Sequence, residues 1–125
     1  MKDKIFLGIQ VLAGLVLIVF GLNKFLHFIP MGVPVPEMGE YMKALMATGF
    51  IFPIVAVIEI LTGLAFIRDK FAGLMAIVIT PIIANALLAH LFLDPSGAGG
   101  AVFVLFATII VMIRHKDIYI KIFEA

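Results

Sequence analysis

Apolar residues dominate the chain in four long runs, and every break between the runs is charged or turn-forming. A hydrocarbon core about 30 Å thick takes roughly 17–25 predominantly apolar residues in helical form. The pattern predicts spans over about 5–28, 51–67, 71–93 and 98–113, the last short enough that the glycines before it dip into the interface. The first run is too long, and lacks a small-residue cleavage site, to be a removed signal peptide, so it reads as a retained span. Arg68-Asp69-Lys70 separates the second and third spans. Asp94-Pro95-Ser96-Gly97 separates the third and fourth with the residue preferences of a type I turn. Both connections read as tight hairpins. The expected fold is all-α: an integral membrane four-helix bundle formed by residues 1–125 as a single transmembrane domain.

The one long loop, about 29–49, begins with Pro30, Pro34 and Pro36 and continues into an amphipathic helix over about 37–47. In this helix Met38, Tyr41, Met42, Leu45 and Met46 recur at helical spacing, with Glu37, Glu40 and Lys43 opposite, as expected of a helix that lies at the interface or caps the bundle. Lys2, Lys4, Arg68, Lys70, Arg114, Lys116 and Lys121 fall on one side if all four spans cross, with only Lys24 and Lys43 on the other. That bias predicts cytoplasmic N- and C-termini in a multi-pass protein of the inner membrane, with the long loop outside. The tail after Arg114 mixes Lys116, Asp117 and Lys121 with Ile118, Ile120, Ile122 and Phe123, an expected surface anchor.

Small and polar residues predict how the spans meet. In the first, Gln10, Gly14, Leu17, Gly21, Lys24 and Phe28 form a heptad seam expected to face inward. In the third, Ala72, Ala76, Thr80 and Ala84 follow one another at four-residue spacing and should face a neighbour. Pro81 removes a backbone hydrogen bond and is expected to kink the third span, freeing a carbonyl near Ile77 and opening a cavity beside Asn85.

Composition then narrows the chemistry. The chain is 64% hydrophobic and 14% charged, with net charge +1, which leaves no basic patch for nucleic acid. It has no cysteine, hence no thiolate metal site and no thiol–disulfide exchange, and redox chemistry would need a bound cofactor. The most informative residue is Glu59, near the centre of the second span, where a carboxylate is protonated, paired or facing water. Counting about eight residues from the outer end of each span puts Glu59 and Asn85 at one depth, where they can meet. Lys24, Asn23 and His90 lie above them, with His27 and Asp94 at the rim, so polar groups concentrate in the outer half. The inner half holds only Gln10, Thr62 and Thr80.

Glu59, Asn85, Lys24, His90, Asn23 and His27 are therefore the candidate ligand-binding residues, with Glu59 the candidate proton handler. Glu59 has a structural alternative, a hydrogen bond to Asn85 or Lys24. Lys24 has two roles open to it, snorkelling at a span end or pairing inward with Glu59 or Asp94. His27 and His90 could serve as axial haem ligands, but no paired-His motif repeats, and interfacial hydrogen bonding accounts for them. Met38, Met42 and Met46 could offer thioethers to Cu(I), but an adaptable apolar lid explains them as well. No metal is expected, and Asp94 is most simply the first residue of its turn.

The stretch Phe20-Gly21-Leu22-Asn23-Lys24-Phe25 with His27, Pro53 and Glu59, and Asn85 with His90-Leu91-Phe92-Leu93-Asp94-Pro95-Ser96-Gly97 together resemble the small DoxX-like membrane proteins over nearly the whole chain. The resemblance implies a four-helix membrane bundle, in a family named for a subunit of complexes that pass electrons from sulfur compounds or quinol. Three functions follow as expectations: a quinone-associated subunit of a membrane oxidoreductase complex, a structural or assembly subunit, and a small proton-coupled carrier. The first needs a protein partner to deliver electrons, because the chain has no intrinsic cofactor motif, and the carrier needs self-association to complete a path.

Overall fold

The computed structural model describes residues 2–29 and 34–124, and these are helical almost throughout. In chain order the helices are α1 (Lys2–Leu26), α2 (Pro36–Ala47), α3 (Ile51–Arg68), α4 (Ala72–Leu93), α5 (Gly99–Arg114) and α6 (Lys116–Phe123), with a single 3-10 turn, Pro95–Gly97, between α4 and α5. Helices α1, α3 and α4 are each long and apolar enough to cross a membrane; α5 is apolar but shorter, at 16 residues. The four contact one another in a ring: α1 packs on α3 and α5, and α4 packs on α3 and α5. Phe66, Leu17, Ile79 and Val111, all but fully buried, fill the ring's interior, while the outer faces of these helices expose Leu, Ile, Val and Phe along their length.

The breaks fall where the sequence puts them. Asp69 and Phe71 both adopt left-handed backbone, φ 53° and 60°, and so reverse the chain between α3 and α4 within three residues. The second hairpin closes as a turn, the Gly97 N–H donating to the Asp94 carbonyl at 3.1 Å and the Ser96 hydroxyl to the Asp94 carboxylate at 2.6 Å. Pro36 starts α2, where its missing N–H costs nothing. Pro30 lies outside the described residues. One end of the ring thus gathers Lys2, Arg68 and Arg114, and is called here the termini end; the other gathers the long loop, Lys24 and Asp94.

The seam on α1 is buried at Gln10, Gly14, Leu17 and Gly21 and half-buried at Lys24, but Phe28 is exposed. Its departure has a local cause: α1 stops at Leu26, His27 turns left-handed at φ 52°, and the helical register ends before Phe28. On α4 the four-residue stripe holds for Ala72 and Ala76, after which the buried positions are Ile79 and Ile83, not Thr80 and Ala84. Four residues advance a helix by about 40° beyond a full turn, so a strict four-residue row drifts off the contact face while the three-and-four alternation stays on it. Helix α4 runs without a break through Pro81, which is exposed on the outward side.

Helix α2 docks on α3 and α4. Met38 is buried and Tyr41 and Leu45 half-buried, while Glu37, Glu40 and Lys43 face out, the division the amphipathic pattern predicts. At the termini end α6 folds back on the start of α4: the Tyr119 hydroxyl donates to the Gly73 carbonyl at 2.7 Å, and burial raises its phenol pKa.

Candidate functional site

Glycines decide how closely α1 and α3 approach. A Cβ built at Gly63 would stand 2.5 Å from the Gly14 carbonyl oxygen, and one at Gly14 would stand 2.8 Å from the Gly63 oxygen, so neither helix tolerates a side chain at the crossing. Farther along, a Cβ at Gly21 would come within 3.0 Å of the Ala56 carbonyl and 3.3 Å of the Glu59 Cβ. Glu59 therefore faces α1, on the same α3 stripe as Ala56, Gly63 and Phe66.

One helical turn after Gly21, α1 supplies the counter-charge. The Lys24 ammonium lies 2.6 Å from Glu59 Oε1, with the carboxylate side chain 8% exposed and the lysine 25% exposed. The contact is an ion pair between the two helices. Of the two roles open to Lys24, the structure has the inward one, with Glu59 and not Asp94 as partner.

The same lysine lines a cavity of about 410 Å³ between α1, α2 and α3. Asn23 and His27 share its wall with Lys24, Phe20 and Phe52 form apolar sides, and Met42 and Met46 close it from α2. Asn23 is already committed: its side-chain oxygen accepts from the Ile29 N–H at 2.8 Å and its amide donates to the Ile29 carbonyl at 3.4 Å, which shapes the turn that brings His27 to the cavity. Met38 is buried elsewhere on α2, so the three methionines do not converge on one point. Among the described residues no group of three His, Asp or Glu side chains is placed to hold a metal ion.

Asn85 and His90 belong to other neighbourhoods. Asn85 is exposed on the outward side of α4 and donates its amide to the Tyr41 hydroxyl of α2 at 2.7 Å, so its partner is the docked helix and not Glu59. The cavity under Met42 and Met46 is not lined by Asn85. His90 packs against the hairpin: a Cβ at Gly97 would stand 2.8 Å from its Nδ1, which is buried and has no hydrogen-bond partner among the described residues.

A second polar cluster, at the termini end, escaped the sequence reading, which left only Gln10, Thr62 and Thr80 in that half and treated Arg114 as the start of an anchor. Gln10 is completely buried, and its amide donates to the Phe66 carbonyl at 2.8 Å and to Asp69 Oδ1 at 2.9 Å. Arg114 donates to the Gln10 side-chain oxygen, grips both Asp69 oxygens at 3.2 and 3.4 Å, and reaches Asp3 at 3.1 Å. His115 adds its Nε2 at 3.5 Å from Asp69. Burial raises the Asp69 pKa, but the hydrogen bonds from Gln10 and Arg114 and the charges of Arg114 and His115 outweigh it and hold the carboxyl below its ordinary value. This cluster joins α1, the α3–α4 hairpin and the end of α5. Thr62 lies between the two clusters, its hydroxyl buried without a partner among the described residues, while Thr80 bonds back to the Ala76 carbonyl.

Chemically, the long-loop cluster offers a partly exposed cation backed by a buried carboxylate beside an apolar slot, and the termini-end cluster offers a hydrogen-bonded structural clamp. No protein-family model, no curated protein and no solved structure matches this chain.

Proposed function

We propose that all four apolar helices cross the inner membrane with both termini cytoplasmic, and that the chain is a quinone-associated subunit of an oxidoreductase complex, as its resemblance to the small DoxX-like proteins suggests. The observation that carries the reading is the cavity wall in which Lys24, paired to buried Glu59, meets Phe20, Phe52, Met42 and Met46. At about 410 Å³ the cavity has the size of a small-molecule pocket, and its make-up, mostly apolar with a few polar groups, is what such pockets use for binding and orientation. Met42 and Met46 suit a lid that adapts to a flat ring.

A quinone would supply the two-electron chemistry, with electrons delivered by a protein partner. The chain's own residues bind and orient: the Lys24 ammonium donates to a ligand carbonyl at the cavity wall, and Glu59 holds Lys24 there and takes or returns a proton through it. The test is native mass spectrometry of the detergent-purified chain with ubiquinone and menaquinone analogues, comparing wild type with Lys24→Met and Glu59→Gln. Retention in wild type and loss in both variants is expected; equal retention in all three overturns the reading.

A second reading has its own support. The Gly14–Gly63 crossing is so tight that a Lys24–Glu59 pair can serve to fix α1 against α3, as in a structural or assembly subunit. It predicts that the same variants lose a protein partner and that no form retains a quinone.

A further inference from the structure

At the termini end, the halves of α3 and α4 next to their hairpin border a groove of about 560 Å³. Its floor and sides are Leu61, Leu64, Ala65, Leu74 and Met75, and its mouth carries Arg68, Lys70 and Phe71. We propose that this groove binds one anionic phospholipid, with the headgroup phosphate between Arg68 and Lys70 and an acyl chain along the leucines. The proposal rests on the helices lying in a bilayer, and not on the ligand of the long-loop cavity.

Charge comes first. The hairpin reads Arg68-Asp69-Lys70, in which the carboxylate would offset one of the two cations if all three side chains pointed to one place. They do not: the left-handed backbone at Asp69 accompanies a carboxylate turned inward, where Gln10 and Arg114 consume it. Arg68 and Lys70 are left exposed at the groove mouth with no ion pair within 4.0 Å among the described residues. Two uncompensated cations at the opening of an apolar slot are complementary to an anion that carries a hydrocarbon chain, and to neither a neutral lipid nor a water-soluble anion alone.

Length comes second. From Leu61 to Arg68 the groove runs about 10 Å along α3 at 1.5 Å per residue, roughly two thirds of one leaflet's hydrocarbon thickness. Its cationic mouth is at the helix end and its apolar part points toward the bundle's middle, the polarity of a phospholipid in a leaflet. Phe71, 78% exposed beside the mouth, is an aromatic ring placed where the hydrocarbon meets the headgroups.

The experiment is native mass spectrometry of the delipidated full chain with dioleoyl phosphatidylglycerol and, separately, dioleoyl phosphatidylcholine, whose acyl chains are the same. Wild type should hold one phosphatidylglycerol per chain in preference to phosphatidylcholine. Arg68→Gln/Lys70→Gln should weaken that binding about 25-fold, at about fivefold per basic side chain near an anionic group. Lys2→Gln/Lys4→Gln removes the same charge at the same end of the molecule and should leave it unchanged. Leu64→Trp, which fills the slot and keeps both cations, should weaken both lipids, and circular dichroism on each variant checks that helicity is intact. Equal binding of the two lipids, equal loss in the Lys2/Lys4 control, or full binding by Leu64→Trp overturns the proposal.

Discussion

Replacing Lys24 with Met removes the cation that stands beside a carboxylate 6% exposed overall, and the consequence follows from the geometry. Breaking a buried pair by deleting one partner costs about 3–5 kcal/mol, because the other charge is left uncompensated. Lys24 keeps a quarter of its side-chain surface exposed, which places its removal at the lower end, about 3 kcal/mol. The reverse deletion, Glu59→Met, is expected to cost much less, about 1 kcal/mol, because a lysine at a helix end can swing its ammonium to water. Converting both to Met replaces the pair with apolar volume and is expected to come within about 1 kcal/mol of wild type. The four proteins form a double-mutant cycle, read as equilibrium unfolding in mixed detergent micelles followed by far-UV circular dichroism. Equal costs for the two single variants, or a double variant whose cost is the sum of the singles, would refute the claim that Glu59 depends on Lys24.

Gly63→Ala puts a methyl group 2.5 Å from the Gly14 carbonyl oxygen and should destabilise by about 1–3 kcal/mol, whereas Gly8→Ala, whose new Cβ meets nothing within 4 Å, should stabilise by about 0.5–1 kcal/mol; the same unfolding assay separates them. Asp69 has a lowered pKa in the folded chain, so its contribution to stability is present above the ordinary carboxyl value and lost as pH falls through the lowered one. Acid titration of unfolding below about pH 4 should therefore be steeper for wild type than for Asp69→Asn, and equal slopes would refute the clamp. Tyr41→Phe removes the acceptor of the Asn85 amide and should loosen α2 by about 1 kcal/mol, seen as faster amide hydrogen exchange confined to residues 36–47.

The helices were legible because apolar length and charged breaks act locally, and each predicted span falls within a few residues of an observed helix. The α1 seam was legible for a related reason: glycines and a glutamine at heptad spacing have nowhere favourable to go except toward a neighbour. The pairing of Glu59 with Asn85 shows where the reasoning stopped. Counting residues from the ends of two spans gives the depth of each side chain and says nothing of its direction around the helix. Asn85 lies two residues, about 200°, from the buried Ile83, so at its own depth it points away from the interior. Glu59 lies three residues after buried Ala56 and four before buried Gly63, on the face that meets α1. A depth count combined with the buried stripe of each helix would have paired Glu59 with α1, and Lys24 is the cation that the α1 seam already offered there.

The termini-end clamp was hidden for a different reason. Asp69, Arg114 and Asp3 each have an adequate local explanation as a turn residue, a span-end cation and a first-turn acid, so no one of them looks unexplained in sequence. What joins them is Gln10, a buried amide with two donors and an acceptor, which must find partners or pay several kcal/mol in an apolar interior. A glutamine in the α1 seam is therefore a demand for polar groups on whatever packs against it at that height. With α3 descending to its hairpin and α5 ending at Arg114 at that same end, the side chains that meet the demand are Asp69 of the hairpin and Arg114 of the α5 terminus. The Lys24–Glu59 pair and the Gln10–Asp69–Arg114 clamp thus sit at opposite ends of one glycine-lined contact between α1 and α3. The clamp is anchored by three elements with its polar groups paired, while the pair has a lysine one quarter exposed on a cavity wall, so of the two it is the pair that has a donor to offer a ligand.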